Sequence, residues 1–217
     1  MKDKRKVLVV AAHPDDEVLG VGGTILRHVA EGDAVSVCIV TKAYEPQWPK
    51  KYMEQKIVEQ KKADKILCVS KRINLGFPTV RLNTISTGEF NKKVSVLVDE
   101  IDPDIIYTHF EDDLNFDHSI IFKACLVASR PPKKIDLFCF ETLSETEWSY
   151  KAFNPDFWVD IKQFIGKKIS AFKIYASEVK KYPHPRSPEG IRILAQKRGM
   201  EIACEYAESF KTIRRIW

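Results

Sequence analysis

The stretch VLVVAAHPDDEVLGVGGT, residues 7–24, decides the fold of this chain. Its first six residues are uninterruptedly apolar, as in a strand that is buried on both faces of a parallel sheet. A histidine, a proline and three consecutive acids follow, and the chain then becomes glycine-rich. Three carboxylates would repel a nucleotide phosphate, and Gly20 to Gly23 come too late after the strand for a dinucleotide fingerprint. We therefore expect these glycines to let a helix pack closely on the sheet.

The composition is that of one globular domain, which we take to span residues 1–217. Hydrophobic residues make up 44% of the chain and charged residues 30%. No apolar run is long enough to span a membrane and no signal peptide is recognisable, so we expect a cytoplasmic protein without stable membrane insertion. Five scattered cysteines without a CxxC pair argue against a zinc ribbon or a disulfide framework. The net charge of +5 is mild, and no basic stripe indicates a nucleic-acid partner.

Strands and helices alternate along the chain. Predicted strands occupy residues 6–12, 34–41, 72–77, 104–109, 135–141 and 157–161, and predicted helices occupy 17–31, 52–69, 90–101, 119–129, 163–181 and 187–207. This order predicts an α/β fold with a doubly wound, mostly parallel sheet and helices on both faces. On the second helix we expect Ile57, Ala63, Ile66 and Leu67 to share one apolar side. The proline-containing stretch 182–190 is interpreted as a surface loop.

Two of the predicted strands end in histidines and acids. The first strand is followed by HPDDE, residues 13–17, and the fourth by HFEDDLNFDH, residues 109–118. Ligands of such sheets bind at the carboxyl ends of the strands, and a parallel sheet brings both loops to that edge. We therefore expect these side chains to lie together.

Two histidines and one carboxylate, with one open position, are a usual ligand set of catalytic zinc. His13, Asp16 and His118 can form this set, and a cation would neutralise acids that otherwise repel each other. Asp15 would then be free to act as the general base that takes a proton from the attacking water. Glu17 is interpreted as a capping or supporting residue. The alternative is that the HPDD segment only caps a helix, since Asp is a preferred N-cap residue.

The motifs AHPDDE, GxGGT and DLNxDH resemble those of the LmbE-like or PIG-L family of zinc-dependent N-deacetylases. Further similar stretches lie at residues 74–84, 141–148, 184–192 and 198–210, so the resemblance spans essentially the whole chain. It implies a Rossmann-like fold and hydrolysis of an acetamido group on an amino sugar or its conjugate. It also implies that His13, Asp16 and His118 bind Zn²⁺ and that Asp15 is the catalytic base.

Asn115 departs from the family pattern. Many members have HPDH at this motif, and its first histidine helps to stabilise the oxyanion. Asparagine can donate a hydrogen bond to an oxyanion, but it cannot act as a general acid. The acid is then His109 or His184, with Tyr182 behind them, unless Asp15 returns its proton to the leaving amine. For each histidine a structural role is an equal alternative.

Three basic residues are candidate substrate contacts. Arg81 follows the third strand and could bind a sugar hydroxyl or a phosphate. Lys56 stands where the family often has an arginine, and Arg186 lies in the proline-rich stretch. Surface salt bridging is the alternative for each. Trp148 could stack on a sugar, although core packing is favoured, and Asp117 is expected to orient a neighbour or its loop.

The sequence thus predicts a zinc-dependent hydrolase that removes the N-acetyl group from an N-acetylhexosamine-type sugar or conjugate, including nucleotide-linked ones, in glycan or glycoconjugate biosynthesis. Its expected partner is this small-molecule substrate. The alternatives are a deacylase of another small-molecule amide, including a thiol glycoside, and a non-catalytic metal-binding or sugar-binding module. The sequence leaves open whether the chain forms a homo-oligomer.

Overall fold

The apolar run at the start of the chain forms the centre of a seven-stranded sheet. The computed structural model describes residues 4–216. Its strands are β1 (Lys6–Ala11), β2 (Ala34–Lys42), β3 (Lys71–Pro78), β4 (Ile105–His109), β5 (Asp136–Phe140), β6 (Phe157–Asp160) and β7 (Ala207–Arg214). They lie in the order β3-β2-β1-β4-β5-β7-β6. The pairs from β3 through β5 are parallel, whereas β7 is antiparallel to both β5 and β6.

Helices cover both faces of this sheet. They are α1 (Asp16–Ala30), α2 (Lys50–Leu67), α3 (Thr87–Ile101), α4 (Phe116–Ala128), α5 (Ile165–Ile174) and α6 (Pro188–Met200), with a short 3₁₀ turn at Leu82–Thr84. Alternate side chains of β1 enter two separate cores. Val7 and Val9 pack with residues of α1, α2, α5 and α6, and Leu8 and Val10 pack with residues of α3 and α4. The predicted Rossmann-like, doubly wound and mostly parallel α/β fold is therefore confirmed.

Two glycines of α1 let the helix approach its neighbours closely, as expected. A Cβ atom on Gly20 would lie 2.2 Å from Phe140 Cδ2, and one on Gly23 would lie 2.7 Å from Ile161 Cγ2. Side chains at these positions would force α1 away from the sheet and from the segment after β6. The glycines thus serve packing rather than phosphate binding.

The C-terminal third differs from the prediction. The helix expected over 187–207 ends at Met200, and the one expected over 163–181 ends at Ile174. The chain folds back after α6 so tightly that a Cβ on Gly199 would lie 2.5 Å from the carbonyl oxygen of Cys204. This reversal allows residues 207–214 to enter the sheet as β7, a strand that the sequence interpretation missed.

The expected apolar side of α2 is only partly correct. Ala63 and Leu67 are fully buried, but Ile57 is 49% exposed. The neighbouring polar residues Lys56, Glu59 and Gln60 are buried instead. Lys56 and Glu59 form an ion pair of 3.2 Å, which compensates for their loss of solvent. The exposed Ile57 borders the cavity described below.

The topology brings the two acidic loops together. β1 and β4 are direct parallel neighbours, with Val7 opposite Ile105 and Val9 opposite Tyr107. The loops that follow them therefore leave the same edge of the sheet side by side. Among residues 4–216, no helix is both long and apolar enough to cross a membrane.

Candidate active site

The loop after β1 holds Asp15 in an unusual backbone conformation. Asp15 has a φ of 127°, a left-handed value that costs a non-glycine residue on the order of 1–3 kcal/mol. Its carbonyl oxygen accepts hydrogen bonds of 2.9 Å from the N–H groups of Val18 and Leu19, which start α1. Its own N–H donates to Glu17 Oε2 at 3.0 Å. These contacts hold the strained residue in place.

Glu17 connects this loop to two distant elements. The carboxylate is completely buried, and its Oε1 accepts hydrogen bonds from the Tyr175 hydroxyl at 2.7 Å and from Arg72 Nη2 at 2.9 Å. Arg72 is held in turn by Asp64 on α2. Glu17 therefore fixes the backbone of Asp15 relative to β3 and to the end of α5, which is more than a helix cap does.

His13, Asp16 and His118 could hold a metal ion. Each offers a ligand atom, and these atoms lie within 4.8 Å of one another. Asp16 and His118 are completely buried, yet Asp16 Oδ1 and His118 Nε2 have no hydrogen-bond partner among the residues that the structure describes. Buried polar atoms without partners are costly and rare. Two nitrogen donors and a carboxylate with orphaned atoms therefore fit a divalent cation such as a transition metal.

Two further carboxylates, Asp113 and Asp117, contact the histidines and orient their rings. His118 Nδ1 donates to Asp113 Oδ2 at 2.9 Å, and Asp113 is held by the Thr146 hydroxyl. Asp117 Oδ2 lies 3.4 Å from His13 Nε2 and accepts the N–H of Val80 at 2.7 Å. Such outer carboxylates fix the tautomer and the ring orientation of metal-binding histidines.

The electrostatics of the cluster favour positive charge at its centre. Burial alone would lower the pKa values of the histidines, but Asp117 and Asp16 raise that of His13 to about 10. Asp16 and Asp113 likewise raise the pKa of His118 to about 9. Although burial opposes its charged form, Asp16 has a pKa well below the ordinary value because both histidines face it. A bound cation would be stabilised by the same carboxylates that raise the pKa values of the two histidines.

The carboxylate of Asp15 is also buried at this edge of the sheet. It is 2% exposed, and burial raises its pKa well above the ordinary value although Arg186 opposes this shift. Arg186 Nη1 donates to Asp15 Oδ2 at 3.1 Å, while Nε donates to the carbonyl oxygen of Leu143 at 3.2 Å. A carboxylate with a raised pKa and a fixed orientation has the properties of a general base.

A cavity of about 600 Å³ opens next to these groups. Of the predicted site residues, it is bordered by His13, Asp15, Asn115, Lys56 and Arg186. Asn115 is the N-cap of α4, and its Oδ1 accepts the N–H of Asp117 at 3.1 Å. Its Nδ2 makes no hydrogen bond to the described part of the chain, so this amide is available to a ligand.

Lys56 is tied to its surroundings within the cavity wall. Its Nζ donates to Ser177 Oγ and to Glu178 Oε1, both at 2.8 Å. Burial would lower its pKa, but Glu178 and Glu59 raise it. The ammonium group is therefore charged and already paired.

His109 lies beneath the cluster of His13, Asp16 and His118 and does not border the cavity. It is completely buried, its Nε2 accepts the N–H of Ala12 at 2.8 Å, and its Nδ1 donates to Thr142 Oγ1 at 3.3 Å. Its ring stacks on that of His118 with centroids 3.6 Å apart. Burial and the neighbouring His118 lower its pKa well below the ordinary value.

Four other predicted residues lie apart from the cavity wall. His184 packs edge-to-face on Trp148 at 5.4 Å, and its Nδ1 accepts the N–H of Arg186 at 3.1 Å. Tyr182 is 60% exposed and Trp148 is 54% exposed. The favoured interpretation of Trp148 as a core residue is therefore wrong. Arg81 stacks over the Tyr44 ring at 5.0 Å instead of reaching the cavity.

The sequence interpretation missed Asp113, Glu178 and Trp48. Asp113 lies in the acidic loop, five residues before His118, which was a usable signal. Glu178 and Trp48 come from segments without a motif, and only the folded chain brings them to the cavity.

Comparison with known proteins identifies the family. The model of the PIG-L family, described as GlcNAc-PI de-N-acetylase, matches residues 8–129, which is more than half of the chain. The chain therefore belongs to the PIG-L family, as its motifs indicated. A relative from Bacillus anthracis, a probable N-acetyl-alpha-D-glucosaminyl L-malate deacetylase 2, is 26% identical over 192 residues, with 82% of this chain and 83% of the relative covered.

Solved structures share the fold. The N,N'-diacetylchitobiose deacetylase from Pyrococcus horikoshii has a TM-score of 0.77 at 20% identity, with 98% of this chain and 85% of that chain covered. The 4-carboxy-2-hydroxymuconate hydratase from Pseudomonas putida KT2440 has a TM-score of 0.76 at 20% identity, with 98% of each chain covered. A deacetylase and a hydratase thus share this architecture, so the reaction has to be argued from the site.

Proposed function

We propose that this chain is a zinc-dependent hydrolase that removes the acetyl group from an N-acetylhexosamine-type sugar or conjugate and releases acetate and a free amine. His13, Asp16 and His118 hold the zinc ion. The observation that carries this proposal is that the buried atoms Asp16 Oδ1 and His118 Nε2, beside the strained Asp15, have no hydrogen-bond partner within residues 4–216. The family match supports the reaction type.

Asp15 is the proposed general base. Zinc, when bound, supplies a Lewis acid that polarises the acetamide carbonyl and makes the attacking water more acidic. Asp15 takes the proton from that water as the C–O bond forms. Its raised pKa brings its basicity closer to what proton transfer near neutral pH requires, and Arg186 fixes its orientation.

Asn115 is the proposed donor to the oxyanion. Its Oδ1 is occupied by the N–H of Asp117, so its Nδ2 is left for the negative oxygen that develops on the acetyl carbon. A single such donor contributes on the order of 10²- to 10³-fold to the rate in acyl transfer.

We propose that Asp15 also returns the proton to the leaving amine as the C–N bond breaks. The contacts of the two candidate histidines support this assignment. His109 uses Nε2 to accept the N–H of Ala12 and is completely buried, so it serves as a support for His118. His184 lies outside the cavity wall, and its Nδ1 is occupied by the N–H of Arg186.

Lys56 and Arg186 remain the proposed substrate contacts because both border the cavity. Arg81 is better explained as a support for Tyr44. The names of the relatives, with glucosaminyl malate and diacetylchitobiose as substrates, support a 2-acetamido sugar carrying a further group. The cytoplasmic location and the role in glycoconjugate biosynthesis predicted from the sequence are part of this proposal.

The test is acetate release from a panel of N-acetyl sugars, free, nucleotide-linked and glycosidically conjugated, together with the zinc content of the purified protein. We expect acetate from at least one conjugate, loss of activity on chelation and its return with zinc. Zinc without acetate from any member would contradict the deacetylase and favour a binding module. Full activity in the chelated, metal-free protein would contradict the zinc mechanism.

A further inference from the structure

We propose that the protein has a second ligand site, at the amino edge of the sheet, for a neutral aromatic ring that carries an amide or lactam group. The site is a cavity of about 280 Å³. This volume lies just below the usual range of small-molecule pockets, which suits a single ring rather than a larger ligand. The inference does not depend on the proposed deacetylase reaction.

The cavity lies at the edge of the sheet opposite to the candidate metal cluster. It is bordered by Ile105 at the start of β4, Asp136 at the start of β5 and Phe157 at the start of β6. On α1 it is bordered from Thr24 onward, and Thr24 lies eight residues after Asp16, about 12 Å along the helix. Within residues 4–216, none borders both this cavity and the candidate active-site cavity. The two sites are therefore separate.

Thr24 gives this cavity a buried hydroxyl group. It completes the GxGGT motif, whose close packing explains the glycines but not the threonine. Thr24 is 1% exposed and its N–H donates to Glu208 Oε2 at 2.7 Å, but its Oγ1 has no hydrogen-bond partner within residues 4–216. The other α1 residues at the cavity are Arg27, His28 and Glu31, and this spacing places Thr24 on the same side of the helix. Because a buried polar atom without a partner is costly, a ligand that bonds to Oγ1 would be stabilised.

Aromatic rings form the sheet side of the cavity. Tyr107, Phe138 and Phe157 all border it. The Phe138 ring lies nearly parallel to those of Tyr107 and Phe157, at interplanar angles of 25° and 22° and centroid distances of 5.6 and 4.9 Å. The Tyr107 hydroxyl lies 3.0 Å from His28 Nε2, which fixes the ring. Rigid aromatic surface of this kind favours a flat aromatic ligand over a saturated ring of the same size.

Most charges at the cavity are already compensated. Arg5 pairs with Asp33 at 2.8 Å and with Glu31 at 3.4 Å, and Arg27 pairs with Glu31 at 3.1 Å. Burial lowers the pKa of His28 below its ordinary value, so its ring is uncharged at neutral pH. These groups carry two positive and two negative charges, and they do not select a charged ligand.

Arg215 and Asp136 add a hydrogen-bond donor and an acceptor. The Arg215 guanidinium lies over the Phe157 ring at 5.9 Å and makes no ion pair or hydrogen bond within residues 4–216. Asp136 Oδ1 accepts the N–H of Ile216 at 2.8 Å, and its Oδ2 accepts no hydrogen bond from the same residues. Their opposite charges keep the wall balanced. An amide group on the ligand can accept from Arg215 and donate to Asp136 at the same time.

The experiment titrates the ¹⁵N-labelled chain with four ligands of similar size, which are benzamide, benzoate, benzamidine and cyclohexanecarboxamide. We expect benzamide to bind with a Kd of about 0.5–5 mM, at least about threefold more tightly than the other three. The shifted backbone amides should be those around Thr24 and Phe157. No saturable binding up to about 20 mM, equal affinity for all four ligands, or shifts confined to the candidate active-site cavity would each overturn the proposal. Acetate release does not enter this measurement, so the second site and the deacetylase can fail independently.

Variants test the two kinds of polar contact. Thr24→Val should raise the Kd of benzamide about three- to tenfold, yet leave the free protein at least as resistant to urea as the parent, because the lost hydroxyl had no partner. Arg215→Met should raise the Kd about two- to fivefold. The matched controls Thr87→Val and Arg130→Met, at exposed residues away from the cavity, should leave it unchanged. An unchanged Kd in Thr24→Val, a clear loss of its stability, or equal weakening in the controls would contradict the site.

Discussion

Asp113 illustrates how single residues outside the ligand set shape this site. Its carboxylate accepts a hydrogen bond from His118 Nδ1 and another from the Thr146 hydroxyl, so it determines which nitrogen of His118 is left for a metal ion. Glu17 acts similarly on the backbone of Asp15. Neither function can be deduced from spacing alone, because both depend on which side chains fold against the loop.

Replacing Asp113 by asparagine should weaken zinc binding. The amide cannot stabilise the His118 Nδ1 proton as a carboxylate does, and such outer-shell changes cost about 10- to 100-fold in metal affinity. Competition with a chelating dye measures this. His184→Ala is the control, because His184 contacts Trp148 and the backbone of Arg186 rather than the ligands. Unchanged affinity in Asp113→Asn would contradict the role given to Asp113.

The close approach of His13, Asp16 and His118 could be predicted from the sequence, whereas their role as metal ligands stays a proposal. His13 and Asp16 lie in one short loop, and His118 follows a strand that parallel pairing brings beside β1. Trp48, Glu178 and the contacts of Arg81 could not be predicted, because they depend on the path of segments that carry no motif. The position of His109 likewise became clear only from its buried hydrogen bonds.

Among the helices and strands, a buried ion pair forms hydrogen bonds with backbone groups of α1. Lys168 on α5 donates to the carbonyl oxygen of Leu19 at 2.7 Å and to Glu208 of β7, also at 2.7 Å. Glu208 in turn accepts the N–H groups of Gly23 and Thr24 at 2.8 and 2.7 Å. Both charged side chains are at least 95% buried. The pair thus joins α1, which begins with Asp16, to α5 and β7.

Lys168→Met should destabilise the protein strongly. It leaves the Glu208 carboxylate buried without its cation, which costs about 3–5 kcal/mol of unfolding free energy. The double variant Lys168→Met/Glu208→Gln should recover part of this loss because no buried charge remains. Urea denaturation measures both. If the unfolding free energy of Lys168→Met lies within about 1 kcal/mol of that of the parent, the pair contributes little to stability.

The glycines of α1 make a matched pair of variants possible. Gly23→Ala places a Cβ 2.7 Å from Ile161 Cγ2, and such overpacking costs about 1–3 kcal/mol. Gly88→Ala on α3 meets no atom within 4 Å, so it should stabilise the fold by about 0.4–1 kcal/mol. Unfolding free energies compare the two directly. A neutral or stabilising Gly23→Ala would contradict the close packing of α1.

The element order was predictable up to β6, and β7 was not. Buried strands are recognisable in the sequence as apolar runs. The closely packed glycines of α1, Gly20 and Gly23, were likewise visible as part of a glycine cluster. The strand AESFKTIR, residues 207–214, instead contains mostly polar residues and follows the short chain reversal after α6. Its place in the sheet is set by antiparallel pairing to β5 and β6, a long-range property.

At the scale of the whole molecule, the two ends of the sheet carry different polar networks. The carboxyl edge holds the candidate metal cluster. Elsewhere, His28 lies 2.6 Å through Nδ1 from Asp33 Oδ2 and 3.0 Å through Nε2 from the Tyr107 hydroxyl, while Arg5 pairs with Asp33. His28 thereby links α1 to β4, away from the site.

His28 should make stability depend on pH. Burial lowers its pKa below the ordinary value of 6.5 although Asp33 opposes the shift. Below pH 6.5 the unfolded state therefore binds more protons, and the free energy of unfolding falls as the pH drops, by at most about 1.4 kcal/mol per pH unit. His28→Gln should reduce this slope between pH 7.5 and 5, measured by urea denaturation. Identical slopes in parent and variant would contradict the assignment.

Zinc per chain and acetate turnover, measured on the same sample of Asp15→Asn, test directly whether Asp15 is the general base. Asparagine tolerates positive φ, so the loop should persist. We expect one zinc per chain, as in the parent, with turnover reduced by about 10²- to 10⁴-fold because the general base is gone. Turnover equal to that of the parent in a zinc-loaded variant would contradict the role of Asp15 and the mechanism built on it.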